Sequence, residues 1–259
     1  MSGELPGMLR LLAVMRALRD PVRGCSWDLA QDAHSLARYV LEEAYELVAA
    51  LETGNEEAVR DELGDLLFQV VFHAQLASER GVWDFDAVAG GIADKLERRH
   101  PHVFAPDGRN ASHWEQIKAA ERAARGKAGV LDDVPAALPA LTRAVKLGRR
   151  AGTAGFDWPD VTGPRAKLLE ELAEVDEAAR GEDSASLEAE VGDLLLAAAS
   201  LARHLKVDPE TALRRANSRF EARFRAMEAL AARRSLTLPD LDAAALDSLW
   251  EDVKRGVQS

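Results

Sequence analysis

Apolar residues recur at three- and four-residue steps along most of this 259-residue chain, and that spacing predicts helices. Leu36, Val40, Leu41, Ala44, Leu47, Val48 and Leu51 make one amphipathic helix. Val59, Leu63, Leu66, Leu67, Val70, Val71, Ala74 and Leu76 make a second. Between them, Thr53-Gly54-Asn55 is a stop and a restart. Gly54 suits a left-handed C-terminal cap, Asn55 an N-cap, and Glu56 and Glu57 complement the dipole of the new first turn. So short a connection predicts antiparallel neighbours. The same spacing predicts helices over residues 85–99, 114–125, 138–150, 165–179, 187–205, 209–232 and 240–254. Asp208-Pro209 is a start signal, with Asp as N-cap and Pro at the first helical position. Turn-rich stretches at 101–110, 126–139 and 152–163 interrupt the pattern. No segment shows sustained period-2 alternation, so the expected fold class is all-α.

The helical pattern occurs twice. Leu41-Glu-Glu-Ala-Tyr-Glu46 matches Leu169-Glu-Glu-Leu-Ala-Glu174, and Glu62-Leu-Gly-Asp-Leu-Leu67 matches Glu190-Val-Gly-Asp-Leu-Leu195. Leu169 follows Leu41 by 128 positions, and Glu190 follows Glu62 by the same 128. A helix break lies in each gap, Gly181-Glu182-Asp183 being the second. A Trp precedes each copy, Trp27 in one and Trp158 in the other. This is a duplicated helical unit. The expected organisation is an N-terminal repeat over residues 1–125, a linker over 126–135 and a C-terminal repeat over 136–259.

Residues three apart on a helix share a face. Glu43 with Glu46, and Glu62 with Asp65, therefore form two carboxylate pairs that antiparallel helices can bring into one cluster. Glu171 with Glu174, and Glu190 with Asp193, can do the same. Clustered carboxylates raise one another's pKa or repel unless cations join them, and hard oxygen donors without His or Cys select Mg²⁺ or Mn²⁺. The plain alternative is solvated acid on amphipathic helices. The fixed recurrence weighs against it, as do Leu63, Leu66 and Leu67, which imply a partly buried stripe around Glu62 and Asp65. Gly64 and Gly192 sit mid-helix between the acids, where each costs about 1 kcal/mol relative to Ala; a close helix approach or a ligand would justify that. A di-iron bundle would need Glu-x-x-His, which is missing, and no P-loop, Rossmann glycine pattern or Gly-x-Ser-x-Gly is present.

The C-terminal half also carries cations suited to phosphate. Asn217, Arg219 and Arg223 share a helical face, and Trp250 and Lys254 lie four apart on the last helix. Arg suits bidentate phosphate contact, and Trp250 is either a base-stacking surface or core. The N-terminal half has Lys95 and Arg99, then Trp114 and Lys118. Trp27 and Trp158 are expected to be hydrophobic anchors at the start of each bundle.

Composition narrows the partners. Lys plus Arg total 33 against 44 Asp plus Glu, a net charge of -11. That argues against gripping nucleic acid polymers or an anionic membrane surface. Eight of those acids fall in the two clusters, so the argument does not extend to single nucleotides drawn by bound metal. Mean hydropathy is -0.21, and the longest apolar run, 194–202, is too short to span a bilayer. The lone Cys25 rules out an internal disulfide. The opening residues show no cationic segment followed by an apolar one, so no secretory signal and a cytoplasmic location are expected.

These motifs resemble a known family. The tandem Glu-x-x-Glu, break, Glu-x-x-Asp arrangement is similar to the metal motif of the all-α nucleoside triphosphate pyrophosphohydrolases. Asp20-Pro-x-x-Gly-Cys-x-Trp-Asp28, Asp61-Glu-Leu-Gly-Asp-Leu-Leu-Phe-Gln69, Asp94-Lys-Leu-Glu-Arg-Arg-His-Pro-His-Val-Phe104 and Gly155-Phe-Asp-Trp158 resemble its tandem, MazG-type branch. Ser26 departs from that branch, which usually has Pro there. The resemblance covers nearly the whole chain. It implies Mg²⁺-dependent hydrolysis of NTPs and dNTPs to the monophosphate and pyrophosphate, by a homodimer of helical bundles. It also places Arg219, Arg223, Trp250 and Lys254 in a principal C-terminal active site. Glu171, Glu174, Glu190 and Asp193 are the expected metal ligands there, with Glu43, Glu46, Glu62 and Asp65 as a possible second site. Glu170 or a metal-bridging acid, Glu171 among them, is the general base. The expected role is nucleotide-pool housekeeping or stress-linked nucleotide control. The alternatives are a pyrimidine-selective dNTP pyrophosphatase and a non-catalytic helical scaffold.

Overall fold

A computed structural model describes residues 6–104, 129–181 and 183–256. The chain divides into two compact units, Met1–Ala120 and Glu121–Ser259. All regular elements among the described residues are helical. The expected helix over 114–125, with Trp114 and Lys118, lies outside the described residues, as does the start of the expected linker. Residues 129–138 are turns and irregular chain.

In the N-terminal unit, α1 (Gly7–Leu18), α2 (Ser26–Leu29), α3 (Ala37–Thr53), α4 (Glu56–Glu79), α5 (Phe85–Arg99) and α6 (Pro101–Phe104) follow in order. Gly54 is left-handed with φ +69°, and the Asn55 side chain accepts from Glu57 N and Ala58 N at 3.1 and 3.3 Å. These two residues turn α4 back along α3. Asp84 caps α5 by accepting from Ala87 N at 2.9 Å. The core joins α1 and α4: Met15, Leu36, Val71, Phe72 and Leu76 are buried, with Leu11, Leu18, Tyr39 and Phe68 packed against them. Helix α1 has no counterpart among the sequence expectations. Its run Met8-Leu9-x-Leu11-Leu12-Ala13-Val14-Met15 is apolar nearly all round, so no polar stripe marks it as amphipathic. The chain 101–104 is a helical turn where the sequence suggested irregular structure.

The C-terminal unit comprises α7 (Ala140–Thr153), α8 (Thr162–Ala178), α9 (Ser184–His204), α10 (Pro209–Arg233), a 3-10 turn (Leu238–Asp240) and α11 (Ala243–Lys254). Asp183, Asp208 and Asp242 cap α9, α10 and α11 through Ala185 N, Thr211 N and Ala245 N. Because Asp242 is the cap, α11 starts after the expected 240. Helix α9 packs on α8 and α7, while α10 and α11 share a separate core of Met227, Leu230, Ala231 and Leu249. Among the described residues no helix is long and apolar enough to cross a membrane.

Candidate active site

Each hairpin brings three of its four expected acids together. In the C-terminal unit Glu171 and Glu174 come from α8 and Glu190 from α9, and each offers an oxygen such that all three lie within 4.8 Å of one another. In the N-terminal unit Glu43 of α3 and Glu62 and Asp65 of α4 do the same. Glu46 is not in that group, but its charge helps to raise the pKa of both Glu43 and Glu62. Desolvation is the larger cause for each, with Asp65 adding to it. Asp193 is outside the C-terminal triad and lines the pocket beside it.

The two clusters differ in electrostatics. Glu171 is only 4% exposed and receives the Lys167 ammonium at 2.7 Å, which also reaches Glu170 at 2.8 Å. Those contacts raise the Lys167 pKa. Glu174 is pushed up by desolvation and then by its hydrogen bond with Glu171. Carboxyl groups packed this closely favour positive charge among them. With oxygen donors alone and no His or Cys, both triads suit a hard divalent cation. The residue matching Lys167 in the N-terminal unit is Tyr39, so no cation stands at that position of its hairpin.

Beside the C-terminal acids lies a pocket of about 490 Å³. Its walls include Glu171, Asp193, Lys167, Phe156, Trp158 and Arg203. A bidentate ion pair between Asp157 and Arg203 ties the turn carrying Trp158 to α9. Trp158 is half-exposed and faces His204 edge-on, with centroids 6.1 Å apart. Trp27 is likewise half-exposed, edge-on to Tyr39. Neither is a buried anchor, because Trp27 lies on the short α2 and Trp158 on the turn before α8, each ahead of its hairpin rather than inside it. The pocket's remaining walls are Leu131, Asp157 and residues of α7 and α9, among them Ala144, Gly148, Ala151 and Ser200, which in sequence look like ordinary Ala-rich helix.

The expected polyphosphate cations occupy other helices. Asn217, Arg219 and Arg223 are exposed on α10. Lys254 pairs with Glu251 at 2.7 Å, and the Trp250 ring lies 5.5 Å from that of Phe220. Among the described residues, no hydrogen bond or ion pair joins Arg219, Arg223 or Lys254 to the acid triad. Glu170 is exposed and committed to Lys167. A Cβ built on Gly64 or Gly192 would meet nothing within 4 Å, so no close helix approach among the described residues accounts for either glycine. Leu63 is also half-exposed rather than part of a buried stripe.

The MazG nucleotide pyrophosphohydrolase domain model matches residues 31–104 and 163–226, one match on each hairpin. The chain is 47% identical over 253 residues to the nucleoside triphosphate pyrophosphohydrolase of Escherichia coli K12, covering 95% of this chain and 96% of that protein. It is 43% identical over 247 residues to the nucleoside triphosphate pyrophosphohydrolase/pyrophosphatase MazG of Thermotoga maritima, covering 95% of each. It is 39% identical over 248 residues to the uncharacterized protein YabN of Bacillus subtilis, covering 93% of this chain and 50% of that one.

Proposed function

The chain belongs to the MazG nucleotide pyrophosphohydrolase family, and from that premise we propose that it hydrolyses NTPs and dNTPs to the monophosphate and pyrophosphate, with broad base tolerance and dependence on Mg²⁺. The observation that carries the reading is the placement of the Glu171, Glu174 and Glu190 triad beside a pocket large enough for a ligand. A divalent cation held by these acids and Asp193 would neutralise phosphate oxygens and make water a stronger nucleophile. Lys167 pairs with the buried Glu171 carboxylate and positions it. Glu170, or an acid of the cluster, accepts the proton of the attacking water as its oxygen bonds to the α-phosphorus. The bond from that phosphorus to the bridging oxygen breaks, and pyrophosphate leaves. Arg219, Arg223 and Lys254 are the cations we assign to the polyphosphate, with Asn217 and Trp250 beside them on the same helices.

Exposed apolar residues flank both acid clusters: Leu41, Tyr45 and Leu63 in one unit, Leu169, Leu172 and Leu195 in the other. A homodimer that covers them is the assembly we propose, in a soluble protein serving nucleotide-pool housekeeping or stress-linked nucleotide control. The test of function is an NTP and dNTP panel with Mg²⁺, scored for pyrophosphate and monophosphate and repeated with EDTA. We expect release from most nucleotides and none with EDTA. No release from any nucleotide removes the hydrolase reading, and orthophosphate as sole product removes attack at the α-phosphorus.

A further inference from the structure

We infer that the basic face of α7, made by Arg143, Lys146 and Arg150, binds a short polyphosphate anion at a site separate from the acid triads and from the pocket beside them. The inference goes beyond the hydrolase reading and does not rest on it, because the site needs neither the acids nor a divalent cation.

The sequence divides α7 lengthwise. Ala144, Leu147, Gly148 and Ala151 recur at helical steps and line the pocket. Arg143, Lys146 and Arg150 recur at steps of three and four on a face roughly a third of a turn away. None of the three lines the pocket. At about 1.5 Å per residue their stripe runs about 10 Å along the helix.

These cations lack the partners that their neighbours have. The Asp208 carboxyl, which begins α10 beside α7, is held below its ordinary range chiefly by the Thr211 backbone N–H, against desolvation, with the charges of Arg149 and Arg214 adding to the effect. Arg149 and Arg214 therefore face an acid. Glu210 is turned to the backbone, accepting from Thr142 N at 3.4 Å. Among the described residues, the side chains of Arg143, Lys146 and Arg150 enter no hydrogen bond or ion pair.

Two of the three are also partly desolvated. Arg143 and Arg150 are half-buried, and Nε of the first and Nη1 of the second are closed off from solvent without an acceptor. A guanidinium that gives up water and gains no carboxylate bears an uncompensated cost, which an anion on its remaining N–H groups offsets. Partial burial restricts both side chains beforehand, so binding orders them at a smaller loss of freedom. Lys146 is exposed between them.

Charge selects the occupant. Guanidinium forks match pairs of phosphate oxygens, and the Lys146 ammonium adds a compact point charge. The chain as a whole carries -11. A nucleic acid polymer or an acidic protein face extends past the stripe and meets the surrounding carboxylates, whereas charges further off than about 8 Å are largely screened at physiological salt. A chain of two or three phosphates is short enough to stay within the local positive field. Pyrophosphate, inorganic tripolyphosphate and a free nucleoside triphosphate share this chemistry.

The test uses the full chain in EDTA, where no metal draws phosphate to the acids. Pyrophosphate, tripolyphosphate and an α,β-methylene NTP analogue are titrated by calorimetry. Saturable binding of tripolyphosphate at one site per chain is expected, weakening as salt is raised. Equal affinity for the NTP analogue makes free nucleotides a source of the ligand, and equal affinity for pyrophosphate makes the hydrolysis product one. The combined variant Arg143→Gln, Lys146→Gln, Arg150→Gln should weaken binding at least about tenfold while leaving NTP turnover with Mg²⁺ within about twofold of wild type. No binding of any of the three anions overturns the inference, as does unchanged binding in that variant. Loss of binding in Arg219→Gln with Arg223→Gln instead would place the anion on the other cations and overturn it too. Turnover lost together with binding would make the stripe part of the catalytic site, which ends its separateness. Tighter binding of a polyglutamate peptide or a single-stranded oligonucleotide than of tripolyphosphate overturns the inference in favour of a macromolecular partner. If the combined variant does not fold, the exposed Lys146→Glu decides: affinity lowered at least about fivefold supports the site, and unchanged affinity removes it.

Discussion

The carboxylate of Asp157 accepts two hydrogen bonds from the guanidinium of Arg203, from Nη1 to Oδ2 at 2.7 Å and from Nη2 to Oδ1 at 2.6 Å. The residues are 46 apart in sequence, so the pair closes the turn before α8 onto the end of α9. Two glycines one turn apart on α7 leave room for it. A Cβ at Gly148 would lie 3.1 Å from Arg203 Nε, and one at Gly152 would lie 3.0 Å from Asp157 Oδ2.

This pair makes stability depend on pH in a defined direction. Arg203 hydrogen bonding, opposed by desolvation, holds the Asp157 carboxyl below its ordinary range. A depressed folded pKa adds stability that is fully present above the unfolded value of about 3.9 and is lost as pH falls through the folded one. Asp157→Asn should therefore cost about 2 kcal/mol at neutral pH, measured by urea unfolding. The gap to wild type should stay level down to about pH 5 and narrow below about pH 4. A gap that widens on acidification would contradict the assignment.

The acid clusters give a prediction on turnover. Glu174→Ala removes one oxygen donor from the triad and relieves Glu171 of its carboxyl partner. Loss of an outer-sphere partner alone costs about 10–100-fold in many metal sites. Removal of a direct ligand should lower NTP hydrolysis by more than about 100-fold and weaken Mn²⁺ binding measured by paramagnetic relaxation. Glu46→Ala, outside its own triad, should leave NTP turnover within about twofold of wild type, because the proposed function puts turnover on the C-terminal acids. Loss of turnover in Glu46→Ala but not Glu174→Ala would reverse the roles of the two units.

Much of this organisation is legible from sequence, for a physical reason. The hairpins announce themselves because α3, α4, α8 and α9 are amphipathic and carry their acids at helical spacing, and because Gly54, Asn55 and Asp183 mark the breaks by local hydrogen bonding. Helix α1 is hidden because its polar face is almost missing. The pocket is hidden for a different reason. Ala144, Gly148, Ala151 and Ser200 are unremarkable helix residues until α7 and α9 are set side by side, and only then does their small size become a volume. The signal was nonetheless present in the duplication. Phe72, fully buried in the first copy, stands opposite Ser200 at the repeat spacing, a loss of volume that a copy under the same packing constraint would not tolerate.

Asn55 and Gly54 should govern the N-terminal hairpin by different means, one through its side chain and the other through its backbone. Asn55→Ala removes the acceptor for Glu57 N and Ala58 N and should lower stability by about 1 kcal/mol. At Gly54 space is free, since a Cβ would meet nothing within 4 Å, but φ is +69°. Gly54→Ala should cost roughly 1–2 kcal/mol through backbone conformation alone, while Gly54→Asn should recover part of that loss, because Asn tolerates the left-handed region. Thermal unfolding of the three variants checks the order.

Gly163 bears on the pocket through Trp158. A Cβ at Gly163 would lie 2.0 Å from Trp158 Cδ1, so Gly163→Ala cannot coexist with the ring where it stands. Overpacking in a closed core costs about 1–3 kcal/mol because neighbours cannot retreat. Trp158 is 42% exposed, and its ring can turn into solvent. The backbone of α8, fixed by its hydrogen bonds, will not move first. Gly163→Ala should accordingly fall at the low end of that cost, near 1 kcal/mol, yet displace one wall of the pocket. The expected signature is a near-native melting temperature with a raised KM for NTPs, since Trp158 lines the pocket beside the acids. A large loss of stability with unchanged KM would mean that the helix yields instead of the ring, and that Trp158 keeps its place without serving the substrate.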